Sequence, residues 1–312
     1  MFKSVPCNGT VFLNVTFTLL IDYFRHTSYC IILSMTFRQE ITCSGLQSVK
    51  EIVNSTQRSE KFINCLLKKN EDGLYRQAGT DEQCKKGDSL IIYSVDPSST
   101  SELQACNSLF NDHYYGKKEV AQEQKLWPDE DLFIKNFIPN SNSSLLEICC
   151  GNGRITPYLC KDGNSVVGLD FSKDSITLAK ENTSDKLEFV YGDAFELPFD
   201  TEEFDVSVCF ENSLGIFFED EEKIIEELIT VTSKKVLLGL RNVDDSDEFL
   251  HYYVSPDGYI EFATVFTEKR LESILEKISD NLKARIDSVD YYPGLPRPWG
   301  GTQFYAVLNL NA

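Results

Sequence analysis

The residues best suited to do chemistry lie in one ten-residue stretch, Leu145 to Arg154, LLEICCGNGR. A short apolar run carries an acidic residue, Glu147, and gives way to a small-residue turn and then to a helix-like stretch from Arg154 onward. Such a strand–turn–helix unit turns backbone N–H groups and a helix N-terminus toward a nucleotide. Gly151 and Gly153 let a ligand approach the backbone closely. Asp170 follows seventeen residues after Gly153, at the end of a second apolar run, VVGLD. A carboxylate at a strand tip can accept two hydroxyl hydrogen bonds, which suits a ribose diol. A G-x-G-x-x-G dinucleotide fingerprint is incomplete, because Thr156 stands where the third glycine belongs.

The elements that must position these residues follow an alternating pattern. Strands are expected at Leu145–Cys150, Val166–Asp170, Leu187–Tyr191, Phe204–Phe210 and Lys235–Leu240. Helices are expected from Arg154, over Lys173–Asn182 with Ser172 as N-cap, over Glu219–Thr232 and over Thr267–Ser279. Two late strands, Ala284–Tyr292 and Gln303–Leu310, have a link short enough for an antiparallel hairpin. The expected fold is α/β, a Rossmann-like seven-stranded and mostly parallel sheet with a C-terminal antiparallel hairpin. Ligands bind such sheets at the carboxyl ends of the strands.

The composition sets outer bounds. The 312 residues carry 49 Asp+Glu against 30 Lys+Arg, a net charge of -19. A nucleic-acid partner is not expected, since phosphate contacts need clustered Lys and Arg. The first hundred residues are nearly neutral, with 11 basic and 10 acidic side chains, so the acidic excess falls on the rest. That shift suggests a boundary near residue 100 and divides the chain into an N-terminal region of unknown role, 1–105, and a second domain, 106–312. The apolar stretch Val11 to Met35 is interrupted by Asp22, Arg25 and His26, too often for an ordinary membrane span. It reads as one or two buried strands, and no membrane association is expected. Ser48 to Lys69 has helical spacing, Leu90 to Val95 reads as a strand, and Glu119 to Phe137 as helical turns broken at Pro128. Ten cysteines include no C-x-x-C pair, so a zinc site has no local support. The later cysteines fall on expected buried strands and read as reduced core residues. Cys149 and Cys150, adjacent on a strand, point to opposite faces and read as packing rather than as a redox or metal pair. The glycosylation-like triplets at Asn8, Asn14 and Asn54 would matter only in a secreted protein. A cytoplasmic location is expected.

Four ordered motifs, LLEICCGNGR, VVGLDFS (166–172), FVYGDAFELPF (189–199) and FDVSVCFENSLGIF (204–217), resemble those of class I S-adenosylmethionine-dependent methyltransferases. The resemblance spans roughly residues 110–312. It implies S-adenosyl-L-methionine as cofactor and a cofactor site of Glu147, Cys149, Gly151, Gly153, Asp170, Phe171, Asp193, Ala194, Phe210 and Asn212. By the same resemblance Glu147 meets the methionine ammonium, Asp170 the ribose hydroxyls and Phe171 the adenine. Asp193 accepts the exocyclic amine, the Ala194 N–H meets a ring nitrogen, and Phe210 and Asn212 form the floor beneath the sulfonium. Cys149 departs from the family, which usually has glycine there. Methyl transfer needs alignment first, and a base only if the acceptor must lose a proton. His113, Tyr115 and His251 are the candidates for a catalytic role, and Tyr114 and Tyr115 for a lid. The segment ENSLGIF resembles that of small-molecule N- and O-methyltransferases such as the glycine N-methyltransferase group, so a small-molecule acceptor is expected. Arg241 and Tyr252, with Tyr253, Tyr259 and Phe262, lie in the insert that usually covers the acceptor. The aromatics suit an amine and Arg241 a carboxylate, unless Arg241 pairs with Asp244 or Asp245. A protein methyltransferase using residues 1–105 for recognition, and a non-catalytic cofactor-binding protein, are the alternatives. The sequence leaves the oligomeric state open.

Overall fold

The computed structural model describes residues 38–42, 47–48, 63–72, 74–77, 83–84, 87–115, 117, 125–140, 142–161, 163–243, 250–298 and 300–311. Val11–Met35, the triplets at Asn8, Asn14 and Asn54, and Asp244 and Asp245 lie outside the described residues. The chain divides into two compact units. One takes the residues up to Leu103 together with Val254–Gly258, and the other takes Gln104–Tyr253 and Tyr259–Ala312.

The first unit holds a four-stranded sheet in the order Arg38–Thr42, Ser89–Val95, Ile63–Lys69, Tyr75–Gln77, all antiparallel. A separate pair joins Gln47–Ser48 to Gln83–Cys84. Leu67, Leu90, Ile91, Ile92, Tyr93 and Val95 are buried, and the Tyr93 hydroxyl donates to the Gly258 carbonyl at 2.9 Å. The helix expected over Ser48–Lys69 is not formed at its C-terminal end. Ile63–Lys69 is a strand, paired Leu67 to Ile91 and Leu66 to Ile92 along the central Ser89–Val95. The stretch INCLLKK is short, and the apolar strand beside it supplies a full ladder of partners, so tertiary pairing overrides helical spacing. Residues 49–62 lie outside the described residues.

The second unit carries the seven-stranded sheet. Its elements are α1 (Thr100–Phe110), a π-helical turn (Asn111–Tyr115), α2 (Pro128–Phe137), β1 (Ser144–Ile148), α3 (Thr156–Leu159), β2 (Ser165–Asp170), α4 (Lys173–Ala179), β3 (Leu187–Tyr191), β4 (Phe204–Cys209), a 3₁₀ stretch (Ser213–Asp220), α5 (Glu221–Val231), β5 (Thr232–Asn242), β6 (Leu250–Val254), β7 (Ile260–Thr264), α6 (Glu268–Leu275), α7 (Asp280–Lys283), β8 (Ile286–Pro296) and β9 (Thr302–Leu310). The large sheet runs β8-β9-β5-β4-β1-β2-β3. The strands from β5 through β3 are parallel, and β9 and β8 are antiparallel to their neighbours. β6 and β7 form their own pair.

The alternation of side chains along each strand builds two cores. Leu146, Ile148, Leu169 and Leu238 face α5, whose Ile224, Ile225, Leu228 and Ile229 are fully buried. Leu145, Val166, Phe189, Val208, Leu237 and Tyr305 face the other way, against Phe133, Ile134 and Ile138. A sheet buried on both faces explains the continuous apolar runs at β1, β2 and β4. The expected N-cap forms, with the Ser172 hydroxyl accepting from the Ser175 N–H, and the Thr267 hydroxyl caps α6 in the same way by accepting the Arg270 N–H. Pro128 starts α2 rather than breaking it, because a first-turn proline loses no hydrogen bond. The order changes direction at β1, which has β4 on one side and β2 on the other. That switch point opens a crevice at the carboxyl ends of the strands.

Candidate active site

A cavity of about 440 Å³ occupies that crevice, within the range of small-molecule sites. Glu147, Cys149, Gly151, Asp170 and Phe171 line one part of it, and Phe210, Glu211, Asn212, Arg241, Tyr253 and Glu261 another. Tyr114, Tyr115 and Trp127 complete the aromatic wall.

Glu147 is the least expected group to find without a partner. It is 3% exposed, and its Oε2 has no hydrogen-bond partner. β2 and β4 flank it, with Gly168 and Val208 in register. Burial pushes its carboxyl up to about 8. The neighbouring Thr156 hydroxyl and Arg154 pull the other way, while Glu130 and Asp170 add to the rise. A buried carboxylate left open toward a cavity is a ready counter-charge for a cation.

Asp170 is held by the loop it faces. One oxygen accepts the Gly151 N–H at 2.8 Å and the other the Ser172 N–H at 2.8 Å. It therefore fixes the loop and starts α4, and each oxygen keeps lone-pair capacity for a hydroxyl. Burial raises its pKa, and the backbone hydrogen bonds work against that rise. Phe171 beside it is 45% exposed, a large aromatic face available for a flat ring.

The two loop glycines have different tasks. Gly151 (φ +55°) has nothing within 4 Å of where a Cβ would stand, so its surroundings are open to a ligand. Gly153 (φ +82°) is covered: a Cβ there would meet the Phe189 ring at 2.9 Å. Gly153→Ala is expected to destabilise the protein by about 2–4 kcal/mol, from overpacking plus left-handed backbone strain. Gly151→Ala is expected to cost only about 1–2 kcal/mol, from the strain alone. Chemical denaturation of both variants without ligand checks the order. Cys149, also at positive φ (+55°), takes the position where the motif family has glycine. It is half-buried, as is Cys160, whereas Cys150 and Cys209 are buried.

An ionic frame surrounds the cavity. Arg154 makes two hydrogen bonds to fully buried Glu130, at 2.6 and 2.7 Å, tying the loop to the first turn of α2. Arg297, from the hairpin, reaches Asp129 at 3.1 Å and Glu211 at 3.0 Å. The Tyr305 hydroxyl donates to Asp129 at 2.9 Å. Burial, with Glu130 nearby, lifts Glu211 to about 7. Asn212, in the left-handed region, donates to the Thr264 carbonyl at 2.9 Å and accepts the Arg241 N–H at 3.0 Å, linking the turn after β4 to β5 and β7.

The site brings together Glu147, Cys149, Gly151, Asp170, Phe171, Phe210, Asn212, Tyr115 and Arg241. Gly153, Asp193, Ala194, His113, His251 and Tyr252 do not line this cavity. Asp193 is exposed and its Oδ1 accepts the Phe195 N–H at 3.0 Å, closing a turn. His113 stacks on Tyr259 with ring centres 4.2 Å apart. Tyr252 lies 5.8 Å from Phe262, centre to centre. The residues that sequence reasoning passed over are Trp127, Glu211 and Glu261, with Arg154 quoted but given no task. Glu211 lies between two expected site residues, which was a usable signal. Glu261, on an insert strand, gave none. Among the described residues no group of three or more His, Cys, Asp and Glu is arranged to hold a metal, and no helix is long and apolar enough to cross a membrane.

A switch-point cavity with carboxylates near the tips of β1 and β2, in this strand order, is what the resemblance to class I S-adenosylmethionine-dependent methyltransferases led one to expect. Residues 145–235 match the family model described as Methyltransferase domain. The chain is 33% identical over 140 residues to a demethylmenaquinone methyltransferase of Oceanobacillus iheyensis, covering 38% of this chain and 56% of that protein. It is 33% identical over 92 residues to a ubiquinone biosynthesis O-methyltransferase of Hydrogenovibrio crunogenus, covering 30% and 37%. The matched stretch thus spans about half or less of these curated relatives. A crystal structure of a Burkholderia thailandensis 1,6-didemethyltoxoflavin-N1-methyltransferase superposes with a TM-score of 0.52 at 18% identity, over 71% of this chain and 96% of that one, a likeness of fold.

Proposed function

We propose that this protein transfers a methyl group from S-adenosylmethionine to a small-molecule nucleophile. The observation that carries the reading is Glu147: a buried carboxylate oxygen without a partner, opening on the same cavity as Asp170 and Phe171. These residues fit the cofactor. Glu147 matches its ammonium, Asp170 its ribose hydroxyls and Phe171 its adenine face, and the open space at Gly151 admits it against the backbone. When bound, S-adenosylmethionine supplies an electrophilic methyl on a sulfonium. The chain's own contribution is alignment, which supplies most of the acceleration for an already activated donor. The acidic lining suits a cationic ligand. Arg241, Tyr115, Tyr253 and Glu261 make up the part of the cavity assigned here to the acceptor.

Calorimetric titration with S-adenosylhomocysteine tests the cofactor site, and labelled methyl transfer into a metabolite extract tests the activity. Saturable binding and label in the small-molecule fraction are expected. Absence of binding would overturn the reading, and label confined to macromolecules would replace it with a protein methyltransferase.

A further inference from the structure

Two opposite charges line the acceptor part of the cavity without forming an ion pair with each other. Arg241 closes β5 and is 7% exposed, yet its Nε and Nη1 have no hydrogen-bond partner. Its backbone is fixed, because its N–H donates to Asn212 and its carbonyl accepts the Phe266 N–H at 2.8 Å. A guanidinium buried in this state has lost water without gaining an acceptor, and burial lowers its pKa for that reason. Glu261, on β7, faces the same cavity and feels Arg241 as its opposing charge, but the two form no ion pair. Tyr115 and Tyr253 flank them, with both phenols held neutral by burial.

Glu211 on the same cavity offsets part of the Arg241 charge but makes no hydrogen bond to it, so a ligand with a single charge would bond one of the two groups and leave the other without a direct partner. A neutral ligand would leave both. A ligand carrying a carboxylate and an amine satisfies the pair, and the tyrosine faces suit its ammonium. Building on the reading above, we infer that the acceptor is a small amino acid, its carboxylate on Arg241 and its amine at Glu261, and that the amine nitrogen is methylated. The ammonium must lose a proton before nitrogen can attack. Glu261 accepts it, and burial holds this carboxyl at about 7, in range for exchange near neutrality. The freed lone pair forms the new N–C bond as the C–S bond breaks and its electrons return to sulfur. The product leaves as an ammonium carrying one more methyl, secondary from a primary amine and tertiary from proline, and the one proton lost departs from Glu261 to water.

The test measures S-adenosylhomocysteine formation by the full-length protein with a panel of glycine, alanine, β-alanine and proline, their carboxamides, and a demethylated naphthoquinol. At least one amino acid should be methylated, with its carboxamide about 100-fold poorer in kcat/KM. Arg241→Gln should raise the KM for that amino acid by about 100-fold, with Arg241→Lys intermediate. Glu261→Gln should lower kcat by about 100-fold with a smaller change in KM. Calorimetry with S-adenosylhomocysteine separates the outcomes. If it binds wild type but only the quinol turns over, or carboxamides match the acids, the amino acid assignment falls and the methyltransferase reading stands. If it does not bind wild type, both fall. Unchanged S-adenosylhomocysteine affinity in both variants is the sign that they fold.

Discussion

Glu147→Gln is expected to make the ligand-free protein more stable and to weaken cofactor binding, two effects of opposite sign from one atom. Burial is the first cause of this carboxyl's rise to about 8, well above its unfolded value. For an acid raised in the folded state, the unfolded chain ionises first, so stability is full below the unfolded pKa and falls as pH rises toward 8. At pH 7 that loss is roughly 3 kcal/mol, an order-of-magnitude figure from the size of the shift. Glutamine removes the ionisable group and its penalty. The melting temperature of the ligand-free variant should therefore exceed wild type by several degrees at pH 8, with the gap closing toward pH 5. Binding should move the other way. The cofactor's ammonium favours the ionised carboxylate, so wild-type affinity for S-adenosylhomocysteine should rise from pH 6 to 8 and the variant's should not. At pH 8 the variant should bind about 100-fold more weakly, the loss expected for a buried charged hydrogen bond. Differential scanning calorimetry and titration at three pH values read both effects. A variant no more stable than wild type at pH 8, or a dissociation constant within about threefold, would show that Glu147 is neither strained nor a cofactor ligand.

The same atom explains why so much of this site was legible in the sequence. Glu147 interrupts an otherwise apolar strand, and a charge in a doubly covered strand is anomalous enough to stand out. Asp170 was legible by the same contrast at the end of VVGL. The parallel strands were legible because burial on both faces leaves continuous apolar runs, and the hairpin because Pro293 to Gly301 forms a turn-rich link. What failed to show was set by tertiary partners. Ile63–Lys69 has apolar residues at helical spacing, and only the neighbouring Ser89–Val95 decides that it pairs as a strand. Asp193 carries the same local signal as Asp170 and accepts an N–H two residues on in the same way, yet it stands outside the lining of this cavity. Arg241 and Glu261 are twenty residues apart, across a segment with no strong periodicity. Their shared cavity follows from the β6–β7 pair, which no local pattern fixes.

Asp170→Ala is expected to weaken S-adenosylhomocysteine binding by about 2–5 kcal/mol, thirtyfold or more, and to lower stability as well. Both effects follow from the double engagement of the carboxylate. Its oxygens hold the Gly151 and Ser172 N–H groups, so alanine leaves two backbone donors in a buried site without acceptors. Asparagine is not a mild replacement. Its NH₂ group must face one of those two N–H groups, donor against donor, so Asp170→Asn should lose most of what alanine loses. The loop and ribose contributions can be told apart with a 2′-deoxy analogue of S-adenosylhomocysteine. If Asp170 meets the ribose diol, wild type should bind the deoxy analogue at least about tenfold more weakly than the parent. The alanine variant, having lost the acceptor, should bind the two alike. Were wild type indifferent to the 2′ hydroxyl, Asp170 would be a loop-fixing residue only. The ribose would then lie elsewhere in the crevice, and the cofactor's orientation across β1 and β2 would have to be redrawn.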